Sequence, residues 1–77
     1  KETIVDPVTL ESIDEYSLLA EWNTLEKPSF FKIQIFEEKE LIKTLEIPRT
    51  SETSYSYTLK GNISPDLKYY LRVYLVH

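Results

Sequence analysis

The sequence predicts an all-β domain, an antiparallel sandwich of two sheets, and three observations support this prediction. Six Tyr, three Phe and one Trp stand among many Ile, Val and Thr residues, and these residue types pack well on pleated, half-buried surfaces. Apolar and polar residues alternate with a period of two in most runs between turn signals. The runs recur about every 8 to 12 residues, a spacing typical of sandwiches and barrels.

Each predicted strand is short and ends at a turn signal. In chain order the six strands are Val8–Ile13, Ser17–Trp22, Phe30–Glu37, Leu41–Ile47, Thr53–Leu59 and Leu67–Val76. The clearest turns are Asp14-Glu15, the charged run Glu37–Glu40 and the segment from Gly61 to Asp66. We expect the first, second and fifth strands in one sheet, and the third, fourth and sixth in the other.

The fourth strand is ambiguous, because the apolar spacing in Leu41–Ile47 also fits a short helix. Pro48 follows at once, and the segment offers only about two helical turns, too few for a stable isolated helix. The strand is therefore the preferred interpretation.

Alternation also predicts which side chains meet between the sheets, since successive residues of a strand point to opposite faces. The expected core is Leu10, Leu18, Ala20, Trp22, Phe31, Ile33, Ile35, Tyr57, Leu59, Tyr69, Leu71 and Val73.

Length, charge and cysteine content limit the possible partners and chemistry. The 77 residues suffice for one domain, residues 1–77. The net charge of -4 argues against binding to a nucleic-acid backbone, and no apolar run approaches the roughly 20 residues needed for direct membrane insertion. There is no cysteine, hence no disulfide and no thiolate ligand. Because the chain begins at Lys1 without Met or a signal peptide, we expect it to be a segment of a longer protein.

Three motifs, taken in order, resemble those of a fibronectin type III domain. They are S-L-L-A-E-W at Ser17–Trp22, F-K-I-Q-I at Phe31–Ile35, and L-K-G-N-I-S-P-D-L-K-Y-Y-L-R-V-Y at Leu59–Tyr74. The resemblance covers almost the whole chain and implies an immunoglobulin-like Greek-key sandwich. It assigns structural roles to Trp22, as the core tryptophan, and to Tyr69, as the tyrosine-corner residue whose hydroxyl bonds to upstream backbone. Ile63, which stands where the family has leucine, and Pro65 would pack beside Tyr69.

The resemblance lacks one element, the family's seventh strand, because the chain stops at His77. The sixth strand is then expected to be an unpaired sheet edge. The simpler explanation is a segment that stops short of that strand. The alternative is strand donation by a partner, which predicts that the chain alone dimerises or aggregates; a monomeric, cooperatively folding chain would contradict it.

The sequence offers no set of residues for catalysis, so we expect no enzyme, no cofactor and no metal site. His77 is the single histidine and lies at the chain end, where nothing would orient it. Glu37, Glu38 and Glu40 lie in a turn with no implied pocket, and Gly61 is the single glycine, so no phosphate-binding loop is possible.

Two surface features are candidate sites. Aromatic and polar side chains of the third and sixth strands face outward together and have the composition of an interface centre; they are Phe36, Tyr70, Arg72, Tyr74, Lys32 and Gln34. The alternative is that these aromatics merely cover the open sheet through cross-strand pairs. Asn62-Ile63-Ser64 is an N-glycosylation sequon, although the following Pro65 disfavours its use and Asn62 also suits a turn.

The resemblance implies a non-catalytic protein-interaction or spacer module of a multidomain cell-surface receptor or adhesion protein, in an extracellular setting. An accessory sandwich domain of a secreted enzyme and an intracellular scaffold module are the alternatives.

Overall fold

The computed structural model describes residues 1–61 and 63–77. Within these residues the chain forms seven strands and no helix. The strands are β1 (Glu2–Ile4), β2 (Thr9–Asp14), β3 (Ser17–Asn23), β4 (Phe30–Glu37), β5 (Glu40–Pro48), β6 (Ser54–Lys60) and β7 (Tyr69–Val76). All six predicted strands are present, Phe30–Glu37 with both ends as predicted and the others with ends shifted by at most two residues.

The strands form two antiparallel sheets, one in the order β1-β7-β4-β5 and the other in the order β2-β3-β6. The predicted division of the six strands between the sheets is confirmed. The helical alternative for Leu41–Ile47 is wrong, because β5 pairs with β4 along its whole length, up to Phe30 opposite Pro48.

The core lies between the sheets and is formed by side chains that alternate along the strands. Phe31, Ile33 and Ile35 on β4 are completely buried, as are Ala20 on β3 and Val73 on β7. The other predicted core residues are all at least partly buried. Leu75 and Ile63 are also buried, although the predicted core did not include them; Ile63 was expected beside Tyr69.

Trp22 connects the two sheets through aromatic contacts. Its ring meets Phe31 of the opposite sheet edge-on, with centroids 5.7 Å apart, and stacks on Tyr55 of the neighbouring strand β6 at 6.1 Å. The side chain is 2% exposed. Its indole N–H has no acceptor among the described residues. Burial and ring packing therefore hold the Trp22 side chain in place.

The sixth predicted strand, which is β7, was expected to have an unpaired edge. That expectation is wrong for part of the edge. An additional strand, β1, pairs antiparallel with the end of β7, and Thr3 lies opposite Leu75. All three residues of this strand are exposed, so no buried position marks it and periodicity could not reveal it. After Val5 the chain crosses through a cis Asp6-Pro7 bond and enters β2 in the other sheet.

Candidate protein-binding face

The six outward side chains predicted as a partner surface lie on one face of the β1-β7-β4-β5 sheet. They form three directly opposed pairs between β4 and β7, which are Lys32 with Tyr74, Gln34 with Arg72, and Phe36 with Tyr70. We call this set the outer face. The structure therefore brings together all six residues, because both strands alternate without interruption over this stretch.

At one end of the outer face, a lysine lies over an aromatic ring and is also paired with a carboxylate. Lys32 Nζ is 4.9 Å from the ring centroid of Tyr74, an arrangement that favours a cation–π interaction. The same ammonium donates to Glu2 Oε2 at 2.6 Å. Since Glu2 belongs to β1, the N-terminal strand supplies the negative partner for this cation.

At the other end, an arginine takes up the same arrangement over a different ring. The Cζ atom of Arg72 is 4.9 Å from the ring centroid of Phe36. Within residues 1–61 and 63–77, no carboxylate forms an ion pair with Arg72. A shallow groove passes this point, lined by Phe36, Glu38, Lys39, Tyr70, Leu71 and Arg72.

Two further apolar side chains extend the outer face beyond the predicted set. Leu41 lies opposite Phe36 and is 46% exposed, and Ile4 lies opposite Tyr74 and is 55% exposed. Leu41 reaches this register because the β4–β5 pairing shifts between Ile35 and Phe36. Nothing in the sequence indicates that shift.

Tyr69, predicted as a structural residue, has two hydrogen bonds at the end of the sandwich. Its hydroxyl accepts a bond from the Ser64 N–H at 2.8 Å and donates one to Glu37 Oε2 at 2.8 Å. The predicted bond to upstream backbone is therefore present. Ile63 is buried here, whereas Pro65 is exposed in the turn.

The surroundings of the Tyr69 phenol raise its pKa above the ordinary value of 10.0. The bond from the Ser64 N–H has the largest single effect and lowers the pKa. Burial, the hydrogen bond to Glu37, and the negative charges of Glu37 and Glu38 act together in the opposite direction and outweigh it. The neutral hydroxyl is thus the form that this site stabilises.

The remaining predicted features do not converge on a site. His77 Nε2 lies 3.6 Å from Glu26 Oε1 at the surface. In the described part of the chain, no group of three or more His, Asp or Glu side chains could hold a metal ion, and no helix is long and apolar enough to cross a bilayer. The glycosylation candidate, Asn62, lies outside the described residues, so that prediction stays as stated.

No protein-family model matches this chain, and no curated protein is significantly similar to it.

Proposed function

We propose that this chain is a non-catalytic protein-interaction module of the immunoglobulin-like, fibronectin type III kind, and that it binds its partner through the outer face. The observation that carries the proposal is the set of stacked cation–aromatic pairs on the open side of the four-stranded sheet. Aromatic and arginine side chains are enriched at the centres of protein interfaces and among the residues that contribute most to binding, where they bury large areas away from water.

The exposure of Tyr70 favours a binding role over simple covering of the sheet. An aromatic residue that serves only to shield a sheet is expected to bury most of its ring against cross-strand neighbours. Tyr70 instead remains 52% exposed, although it lies opposite Phe36. A partner that covers this ring gains apolar burial that the isolated domain does not achieve.

The fibronectin type III assignment is supported by the order of the three motifs and by particular contacts. Trp22 lies in the core on β3, and the Tyr69 hydroxyl bonds to the Ser64 N–H upstream. Such domains occur as interaction or spacer modules of multidomain cell-surface receptors and adhesion proteins, so we propose an extracellular setting, a protein partner and no cofactor. An accessory domain of a secreted enzyme or an intracellular scaffold module could present the same face; the flanking sequence of the parent protein separates these cases.

The test is photo-crosslinking from the outer face. A benzophenone amino acid replaces Gln34, and the protein is incubated with intact cell surfaces and with secreted proteins. We expect a discrete adduct that is lost when Tyr70 and Tyr74 are both replaced by serine. Tyr16→Ser is the matched control, because Tyr16 is 57% exposed in the turn before β3, away from this face.

Two results of these experiments would contradict the proposal. If no saturable adduct forms, or if the double variant retains the adduct, the outer face is not the binding surface. If urea denaturation shows that the double variant loses stability while adduct formation per folded molecule is unchanged, the two tyrosines are structural.

A further inference from the structure

Arg72 belongs to β7, but its charge lies over the neighbouring strand β4. Its Cζ atom is 4.9 Å from the ring centroid of Phe36, and Phe36 lies opposite Tyr70 in the β4–β7 pairing. The side chain therefore crosses diagonally onto β4, toward the turn that joins β4 to β5. Since β4 lies between β7 and β5, the guanidinium is presented over the middle of the outer face, and Arg72 is exposed there.

The sheet itself supplies no negative charge to this guanidinium. The residue opposite Arg72 is Gln34, which in turn lies opposite Thr44 on β5, and both are neutral. Lys32, the other cation that lies over a ring of the outer face, has an ion pair with Glu2. Among residues 1–61 and 63–77, Arg72 has no ion pair.

The two glutamates that begin the β4–β5 turn are bonded to other groups. Glu37 follows Phe36 and so points to the other face of β4, where its Oε2 accepts a bond from the Tyr69 hydroxyl at 2.8 Å. Glu38 Oε1 accepts a longer bond from the Lys68 N–H, at 3.4 Å. The nearest acids in the sequence are thus committed elsewhere.

Apolar side chains surround the charge on the β5 side. Leu41 lies opposite Phe36 and is 46% exposed. Ile42 is 42% exposed and falls at the shift in the β4–β5 register. A partner that covers these side chains gains apolar burial, and the removal of water strengthens any ion pair that Arg72 forms beneath it.

We infer that Arg72, Phe36 and Leu41, which we call the arginine site, bind an acidic side chain of the partner protein together with an apolar side chain next to it. The guanidinium, supported on the Phe36 ring, donates to the carboxylate. The apolar side chain covers Leu41. The charge complementarity carries the inference, because Arg72 stands without a carboxylate where Lys32 has one. This inference rests on the proposed protein-binding role and specifies the chemistry of the partner.

The test uses a defined probe, the end-capped peptide Gly-Ser-Glu-Leu-Ser-Gly. Its titration is followed by the Nε–H signal of Arg72 and the methyl signals of Leu41 in the labelled protein. We expect saturable shifts at both positions. The same peptide with glutamine in place of glutamate should bind about three- to fivefold more weakly, as for a partly exposed ion pair.

Matched variants separate the charge contact from the apolar contact. Arg72→Gln should abolish the preference for the glutamate peptide, whereas Arg49→Gln, in the exposed segment after β5, should leave it unchanged. Leu41→Ser should weaken both peptides by the same factor, because it removes only the apolar contact. Amide spectra show whether each variant retains the fold.

Four results would overturn the inference. They are the absence of shifts at Arg72 and Leu41, equal affinity of the two peptides, tighter binding of a peptide with lysine in place of glutamate, and a preference for glutamate that survives in Arg72→Gln. Concentration-dependent shifts at Leu41 without peptide would show instead that a second copy of the chain occupies the site. If the benzophenone adduct forms equally in Arg72→Gln and the unmodified protein, the proposed function stands and only the arginine site fails.

Discussion

Two side chains, Trp22 and Tyr69, show how single residues determine the stability of this domain in different ways. Trp22 contributes buried apolar area, since its ring touches Phe31 and Tyr55 and its N–H finds no acceptor in the described structure. Tyr69 contributes through polar contacts, because its hydroxyl ties the segment before β7 to Glu37 on β4. The first effect depends on area removed from water, and the second depends on protonation.

Replacement of Trp22 by alanine should cost about 3 to 5 kcal/mol of unfolding free energy, because it leaves a large cavity at the centre of the core. Urea denaturation measures the change. Leu25→Ala is the control, since Leu25 is 88% exposed, and it should alter the free energy by less than about 0.5 kcal/mol. Equal effects of the two substitutions would contradict the central position of Trp22.

The raised pKa of Tyr69 predicts how stability changes in alkaline solution. The folded state keeps the phenol proton at a pH where the unfolded chain, with a pKa near 10.0, has lost it. The stabilising contribution is therefore complete below that value and is lost as pH rises through the folded-state pKa. Denaturation curves recorded at pH 7 and in alkaline buffers above pH 10 would show this loss of stability.

Tyr69→Phe should lower stability at neutral pH and reduce the additional loss above pH 10, because phenylalanine has no proton to release. Tyr16→Phe, at the exposed turn before β3, is the control and should retain the alkaline loss of the unmodified protein. An identical pH dependence in Tyr69→Phe and the unmodified protein would rule out the Glu37 contact as its source.

At the level of the elements, the strands differ in how firmly they are held. β4 lies between β7 and β5 and buries Phe31, Ile33 and Ile35 completely. β1 contributes no buried side chain, and its contacts are three register positions and the exposed ion pair to Lys32. Stability within one domain varies with such differences in burial and contact.

Hydrogen exchange should therefore rank these strands. The Thr3 amide, which faces β7, should exchange through local opening at a free energy well below that of global unfolding, and the Ile33 amide should exchange only with global unfolding. Ala20, completely buried on the central strand of the other sheet, is the internal control and should behave like Ile33. Thr3 protection equal to that of Ile33 would mean that β1 belongs to the cooperative core.

At the scale of the whole molecule, the two sheets share no hydrogen-bonded strand among residues 1–61 and 63–77, and one core holds them together. Trp22 and Tyr55 come from one sheet, and Phe31 comes from the other, with the rings of Phe31 and Tyr55 only 4.4 Å apart. Neither sheet can bury its inward face without the other. Loss of this layer therefore exposes both sheets at once.

We expect unfolding to be cooperative, with the same urea midpoint for Trp22 fluorescence and for the far-ultraviolet circular dichroism of the strands. The fluorescence reports the contact between the sheets, and the dichroism reports the strands themselves. A second dichroism transition after the fluorescence change would show that one sheet survives alone.

Local pattern was sufficient to predict much of this structure. Alternation along β4 and β7 assigns each side chain to a face without any knowledge of its neighbours, which explains why both the core and the six residues of the outer face could be predicted. The chemistry of those residues was likewise visible in the sequence. What the sequence left open was which of the cations already has a negative partner.

That distinction depends on contacts between distant parts of the chain. Glu2 meets Lys32 only because β1 pairs with β7, and Leu41 meets Phe36 only because of a shifted register in the β4–β5 pairing. Neither contact leaves a periodic signal, since a strand of three exposed residues has no buried position and a bulge is a property of two strands. Side-chain alternation is a property of one strand, whereas the occupancy of a sheet edge is set only when the whole chain is folded.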